Sequence, residues 1–242
     1  MRKIQLFKLS AAGFILAFCL LFYTYVYRSA QPTNASAPKK ETVVIIDAGH
    51  GGEDGGAVAA DGTVEQLINL QIAKYLEAQL QVFGIETVMT RTTEDSIHSL
   101  DADTTRERKV SDIHNRMKIM EETDNALFVS IHQNKYESSS QWGTQVFYSP
   151  NTTSSAALAD CIQKSVVNTL QPENKRVIKK SGSSIYLLYY AKKTAVLVEC
   201  GFLSNQKEAN QLQDKIYQKM LCKVIIATIS CYINGVDREV LR

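Results

Sequence analysis

Four side chains in this 242-residue sequence are of the types that metal-assisted hydrolysis needs. His50 lies in Asp47-Ala48-Gly49-His50-Gly51-Gly52, His132 precedes Gln133-Asn134, and Glu65 and Glu199 are carboxylates beside apolar runs. Two imidazoles and a carboxylate (His50, Glu65, His132) form a donor set suited to zinc. A catalytic zinc keeps its fourth position for water and lowers that water's pKa to about 7. Glu199 would then be the base that takes the water proton and passes it to a leaving amine. The glycines around His50 let the backbone turn sharply and leave room for a substrate. The separations are long and no local HExxH signature is present. Each residue therefore keeps an ordinary alternative: a strand-end histidine can be a hydrogen-bonded structural group, Glu199 a helix cap or ion-pair partner, and Glu65 an acid favoured at a helix amino terminus. Spacing alone leaves both readings open.

What could bring the four together is the placing of the secondary-structure elements. Thr42–Asp47 (TVVIID), Ala126–His132 (ALFVSIH) and Ala195–Glu199 (AVLVE) are apolar runs without polar alternation, as in parallel strands buried on both faces. Ile85–Thr90 and Thr144–Tyr148 read as further strands. Val64–Phe83 (closed by Gly84), Thr105–Glu122, Ser154–Leu170 and a long region from Gln206 to Ile233 read as helices. Strands alternating with helices predict one α/β domain, a mostly parallel sheet flanked by helices. Ligands of open α/β sheets sit beyond the carboxyl ends of the strands, which is where His50, His132 and Glu199 emerge. At about 100° per residue, Glu65 lies within roughly 60° of Ile68, Ile72, Leu76 and Leu80. It therefore points toward the buried face, where a lone carboxylate is costly unless paired or ligating.

Charge is unevenly distributed. Arg2, Lys3, Lys8 and Arg28 are the basic residues of positions 1–28, which hold no acid, and the remainder carries 23 basic against 25 acidic residues. Such a body has no strong electrostatic claim on nucleic acid. Ala11–Tyr27 is free of formal charge and close to the lower length limit for a bilayer span. The basic residues ahead of it keep the amino terminus in the cytoplasm and place the body outside. Ala35-Ser36-Ala37 resembles a cleavage site but lies well beyond the apolar run, so an uncleaved anchor is expected. The expected organisation is an anchor over 1–28, a polar Pro-containing linker over 29–41 and a catalytic domain over 42–242, extracytoplasmic and held at the membrane by the N-terminal helix. Export permits disulfides among Cys161, Cys200, Cys222 and Cys231. Buried free thiols are the favoured expectation, since Cys222 and Cys231 fall on one predicted helix.

The segments IIDAGHGGEDGGA, TRTTEDS, LFVSIHQN and VLVECGFLSNQKEANQL, with the inward Glu65 between the first two, resemble the zinc-dependent N-acetylmuramoyl-L-alanine amidases of the amidase-3 type. The resemblance runs from about Val43 to Ile233 with the motifs in the family's order. It implies that His50, Glu65 and His132 bind one zinc ion, that Glu199 is the catalytic glutamate, and that the substrate is the amide joining N-acetylmuramic acid to L-alanine in peptidoglycan. The short chain with one anchor is similar to the germination-specific subgroup, which strips peptides on the way to muramic-δ-lactam in the spore cortex. Two positions depart from the pattern: Cys200 follows Glu199 where an aliphatic residue is usual, and Lys135 stands where Ala is usual. The short segment after Asn134 leaves no room for the inhibitory helix of larger relatives. No wall-binding repeat is recognisable, which makes an activating protein partner plausible.

The remaining candidates are weaker. Arg106, Arg108 and Arg116 are expected on a solvated helix face, and Arg91 could touch substrate or pair with Asp95. His98 and His114 are expected to be incidental, and Tyr186–Tyr190 could be a strand or a groove wall. A nucleotide site is disfavoured because GxxxxGK[ST] is absent and Asp54 stands where GxGxxG needs glycine. A serine hydrolase lacks its GxSxG elbow. The non-enzymatic alternative is a membrane-tethered peptidoglycan-binding module.

Overall fold

A computed structural model describes residues 41–235. The anchor expected over 1–28, and all but the last residue of the expected linker, lie outside the described residues. Every residue of β1 (Val43–Ala48) is buried, as a strand covered on both faces must be. It belongs to a six-stranded sheet of order β2-β1-β3-β6-β4-β5. The other strands are β2 (Thr87–Met89), β3 (Ala126–Asn134), β4 (Gln145–Tyr148), β5 (Lys179–Lys180) and β6 (Thr194–Phe202). β1, β2, β3 and β6 run parallel, whereas β4 is antiparallel to β6 and β5 runs parallel to β4. This is the single α/β domain with a mostly parallel sheet that the alternation of elements predicts.

Helices cover both faces. α1 (Glu65–Val82), α3 (Thr153–Leu170), α5 (Gln206–Gln213) and α6 (Lys215–Ile233) pack on one. There Ile72, Leu76, Ile162 and Ile225 meet Val44, Ile46, Val129 and Val196. On the other face, Met117 and Met120 of α2 (Thr105–Glu122) and Leu187 and Leu188 of α4 (Tyr186–Tyr190) cover Ile45, Phe128 and Leu197. Alternation along each strand sorts the side chains: Val44 and Ile46 go to the first core, Ile45 to the second. α6 is long and apolar enough to cross a membrane, but its Leu221, Ile225 and Ile229 belong to the first core.

Local chemistry sets the boundaries. α1 ends in a Schellman motif: Gly84 takes φ +72°, its N–H donates to the Gln81 carbonyl, and the Ile85 N–H donates to that of Leu80. α2 begins with a capping box between Thr104 and Glu107. The predicted helical region from Gln206 to Ile233 is instead two helices. Asp214, extended at ψ 118°, ends α5 and caps α6 by accepting from the Ile216 N–H. Tyr186–Tyr190 is a short helix rather than a strand, because Leu187 and Leu188 are drawn into the second core.

β2 lies on one side of β1 and β3 on the other. The winding therefore reverses beside β1, the place where ligands of such sheets bind.

Candidate metal centre and active site

His50 follows the carboxyl end of β1 in the left-handed backbone region, at φ +62°, an unfavourable conformation for a non-glycine residue that functional sites often retain. Its Nδ1 lies 3.0 Å from Asp54 Oδ2, and its Nε2 lies 3.3 Å from Glu65 Oε1. Glu65 is the first residue of α1 and only 3% exposed. Its Oε1 is 3.0 Å from His132 Nδ1 and accepts from the Gln133 N–H at 3.0 Å and from Asn69 Nδ2 at 3.2 Å. Its Oε2 accepts from the Ala57 N–H at 2.7 Å. His132 and Glu199 face each other in register on adjacent strands β3 and β6. Gln133 Nε2 donates to Asn69 Oδ1 at 3.1 Å, which ties the His132 strand to α1.

Two glycines make this proximity possible. A Cβ at Gly49 would lie 2.2 Å from His132 Nε2, and one at Gly56 would lie 2.5 Å from Glu65 Oε2. Ligand atoms of His50, Glu65 and His132 lie within 4.8 Å of one another. This mixed nitrogen and oxygen set fits a divalent zinc ion by chemistry. Asp54 occupies one ring nitrogen of His50 and leaves the other turned toward Glu65, which is how outer carboxylates usually orient metal-binding imidazoles.

The profile of the N-acetylmuramoyl-L-alanine amidase family (Amidase 3) matches residues 44–231. The chain belongs to this family. The germination-specific N-acetylmuramoyl-L-alanine amidase of Bacillus subtilis is 29% identical over 230 residues, covering 94% of this chain and 96% of that protein. The CwlD amidase of Clostridioides difficile, solved in complex with the GerS lipoprotein, superposes with a TM-score of 0.77. It is 36% identical and covers 81% of this chain and 99% of its own. The amidase AmiC2 of Nostoc punctiforme has a TM-score of 0.68 at 26% identity, covering 80% of this chain and 97% of its own.

The electrostatics of this amidase follow from burial and pairing. Burial opposes the charging of the His50 ring, but hydrogen bonds to Asp54 and Glu65 outweigh it and raise the pKa to about 9 in the metal-free protein. Burial likewise opposes ionisation of Glu65, yet its bonds with His132 and His50 hold its carboxyl well below the usual range. Glu199 behaves oppositely. Burial dominates, His132 lowers and Glu65 raises, and the pKa reaches about 7. Its Oε2 is screened from solvent and has no hydrogen-bond partner, a costly state unless a ligand or proton engages it.

All four predicted residues thus meet at one rim of the amidase. The remaining expectations are partly met and partly corrected. Cys200 is buried among the first core on the opposite sheet face, because alternation on β6 turns it away from Glu199. Among the described residues no disulfide joins Cys161, Cys200, Cys222 and Cys231; the first three are buried, as expected, and Cys231 is half-buried. Arg106 is exposed and Arg108 pairs with Glu53 at 2.8 Å, but Arg116 is 2% exposed. The carboxylates of Asp47 and Asp112 draw Arg116 inward. Arg91 is buried, and its hydrogen bonds go to four backbone carbonyls rather than to a carboxylate, those of Ala48, Gly49, Gln66 and Thr93. Sequence reasoning missed Asp54, Asn69 and Gln133 as partners of the donor set. Asp54, four residues after His50, and Asn69, one helical turn after Glu65, offered local signals.

Proposed function

We propose that the chain is a one-zinc hydrolase that cuts the amide between N-acetylmuramic acid and L-alanine in peptidoglycan and frees the stem peptide. The observation that carries this reading is the meeting of His50, Glu65 and His132 beside the unpartnered Oε2 of Glu199. The three donors would hold the ion, which supplies Lewis acidity at the amide carbonyl and lowers the pKa of a water to about 7. Glu199 does the proton work. Ionised, its Oε2 accepts a proton from the attacking water; protonated, it gives that proton to the departing L-alanine nitrogen. A carboxyl with a pKa of about 7 suits both halves of this transfer. Asp54 fixes the His50 tautomer by holding Nδ1.

The same reading extends to cellular context. Residues 1–28 would anchor the domain uncleaved at the outer face of the cytoplasmic membrane. The relative named for germination supports a role in preparing spore cortex for muramic-δ-lactam formation. The relative solved with a lipoprotein supports an activating protein partner. The test is to incubate the purified full-length chain and zinc with intact vegetative or cortex peptidoglycan and analyse the soluble fragments by mass spectrometry. Free peptides beginning with L-alanine are expected. Release from cortex only, or only with a lipoprotein partner added, would assign the specialised role. Zinc-loaded protein that binds peptidoglycan and releases nothing in any arm would return the chain to the binding-module reading.

A further inference from the structure

Two buried arginines, neither a candidate ligand, grip the backbone that carries the donor set. The Arg116 guanidinium, reaching in from α2, donates through Nη2 to the His50 carbonyl at 2.6 Å and through Nη1 to the Ala48 carbonyl at 2.7 Å. It is itself held by Asp47 Oδ1 at 2.6 Å and Asp112 Oδ2 at 2.8 Å. Asp47 is fixed in turn by Ser130 Oγ from β3 at 2.5 Å and Thr90 Oγ1 at 2.8 Å. Arg91 approaches the same loop from the end of β2. Its Nε donates to the Ala48 carbonyl at 2.8 Å, and its Nη2 donates to Gly49 at 3.0 Å and to Gln66 at 2.9 Å. Gln66 lies in the first turn of α1, next to Glu65. One guanidinium thus grips the carbonyl of His50 itself, and the other joins the His50 loop to the helix that carries Glu65.

Burying two guanidiniums side by side is costly, and the arrangement requires a compensating partner set. Arg116 has Asp47 and Asp112. Arg91 is satisfied only by neutral carbonyls, and burial together with the nearby Arg116 charge lowers its pKa to about 10. Holding the sheet together would not need this, since β1 is already paired on both sides. What the carbonyl contacts do secure is a loop whose critical residue sits at φ +62°. A left-handed histidine is held only when its surroundings over-determine it.

We propose that Arg116 and Arg91 are positioning residues for the metal site: Arg116 holds His50 in its left-handed conformation, and Arg91 sets the spacing between His50 and Glu65. The inference rests on the zinc reading above. Lysine keeps the charge at either position but is a point donor without the planar fork that spans these carbonyls.

The test compares zinc dissociation constants, by competition with a chromophoric chelator, for full-length wild type, Arg116→Lys, Arg91→Lys and Leu188→Ala. Leu188 is fully buried in the second core, whose members include no residue of the His50 loop, so Leu188→Ala serves as a core truncation that lowers stability. Each lysine variant should bind zinc about 10- to 100-fold more weakly, the usual effect of losing an outer-shell contact. Leu188→Ala should lower the melting temperature and keep the wild-type zinc affinity. Lysine variants that bind zinc like wild type, or no worse than Leu188→Ala, would overturn the proposal and leave the arginines as fold stabilisers. Should Arg116→Lys fail to fold, Asp112→Asn loosens the outer hold on Arg116 and leaves the loop sequence intact. It should weaken zinc binding several-fold, and an unchanged affinity there overturns the role of Arg116. A wild-type chain that binds no zinc would sink the zinc reading itself, and the proposal with it.

Discussion

Zinc uptake by this amidase should depend steeply on pH, because the metal must displace a proton from His50. In the metal-free site His50 is held as an imidazolium between Asp54 and Glu65, with a pKa of about 9. Only neutral imidazole can ligate. At pH 7 about 1% of the ring is neutral, so the apparent affinity should be about 100-fold below its value above pH 9, or about 2.7 kcal/mol. An ordinary histidine with a pKa near 6.5 would impose almost no such cost. Chelator competition between pH 6.5 and 9.5 should therefore give about a tenfold gain per pH unit, levelling near 9. The sign for folding is the reverse. A raised pKa stabilises the metal-free fold fully below about 6.5, and this contribution is lost as pH rises through about 9. The stabilisation by zinc should thus grow with pH. In Asp54→Asn the pH slope should flatten, while affinity at high pH falls about 10- to 100-fold with the lost outer contact. An affinity that stays flat from pH 7 to 9 would refute the reasoning, since His50 would then be neutral before the metal arrives.

Three further outcomes follow from the same geometry. Gly49→Ala places a Cβ 2.2 Å from His132 Nε2, so the purified variant should fold, as followed by circular dichroism, yet lose most of its bound zinc by elemental analysis. At saturating zinc, the acid side of the kcat/KM profile should fall tenfold per unit below a pKa at or under about 7. Glu199 must be ionised to accept the proton, and a nearby cation can only lower its pKa further. Glu208→Ala removes the carboxylate that accepts from the Gly143 and Phe202 N–H groups. Leaving both donors buried should cost about 2 to 5 kcal/mol in a denaturant titration.

The fold was legible where one period dominated. TVVIID, ALFVSIH and AVLVE are read as buried parallel strands because nothing polar interrupts them, and their carboxyl ends then locate His50, His132 and Glu199 without contact information. Glu65 followed from helical phase alone, since Ile68, Ile72 and Leu76 fix which way it faces. What escaped depended on tertiary partners. Arg116 reads as a surface residue on a strongly polar helix; Asp47, brought close by the sheet, joins Asp112 in making its burial possible. YLLYY has strand-like composition, yet two leucines in the second core fold it into a helical turn. The break at Asp214 was also hidden, because apolar spacing continues across it while the aspartate turns to cap the next helix.

The most direct test of the account measures zinc content and peptide release on the same preparations of wild type, Glu199→Gln and His132→Ala. Removing the proton acceptor but keeping the shape should leave one zinc per chain in Glu199→Gln, with turnover reduced at least 100-fold. His132→Ala should lose both metal and activity. Wild-type turnover in Glu199→Gln, or full zinc occupancy in His132→Ala, would contradict it.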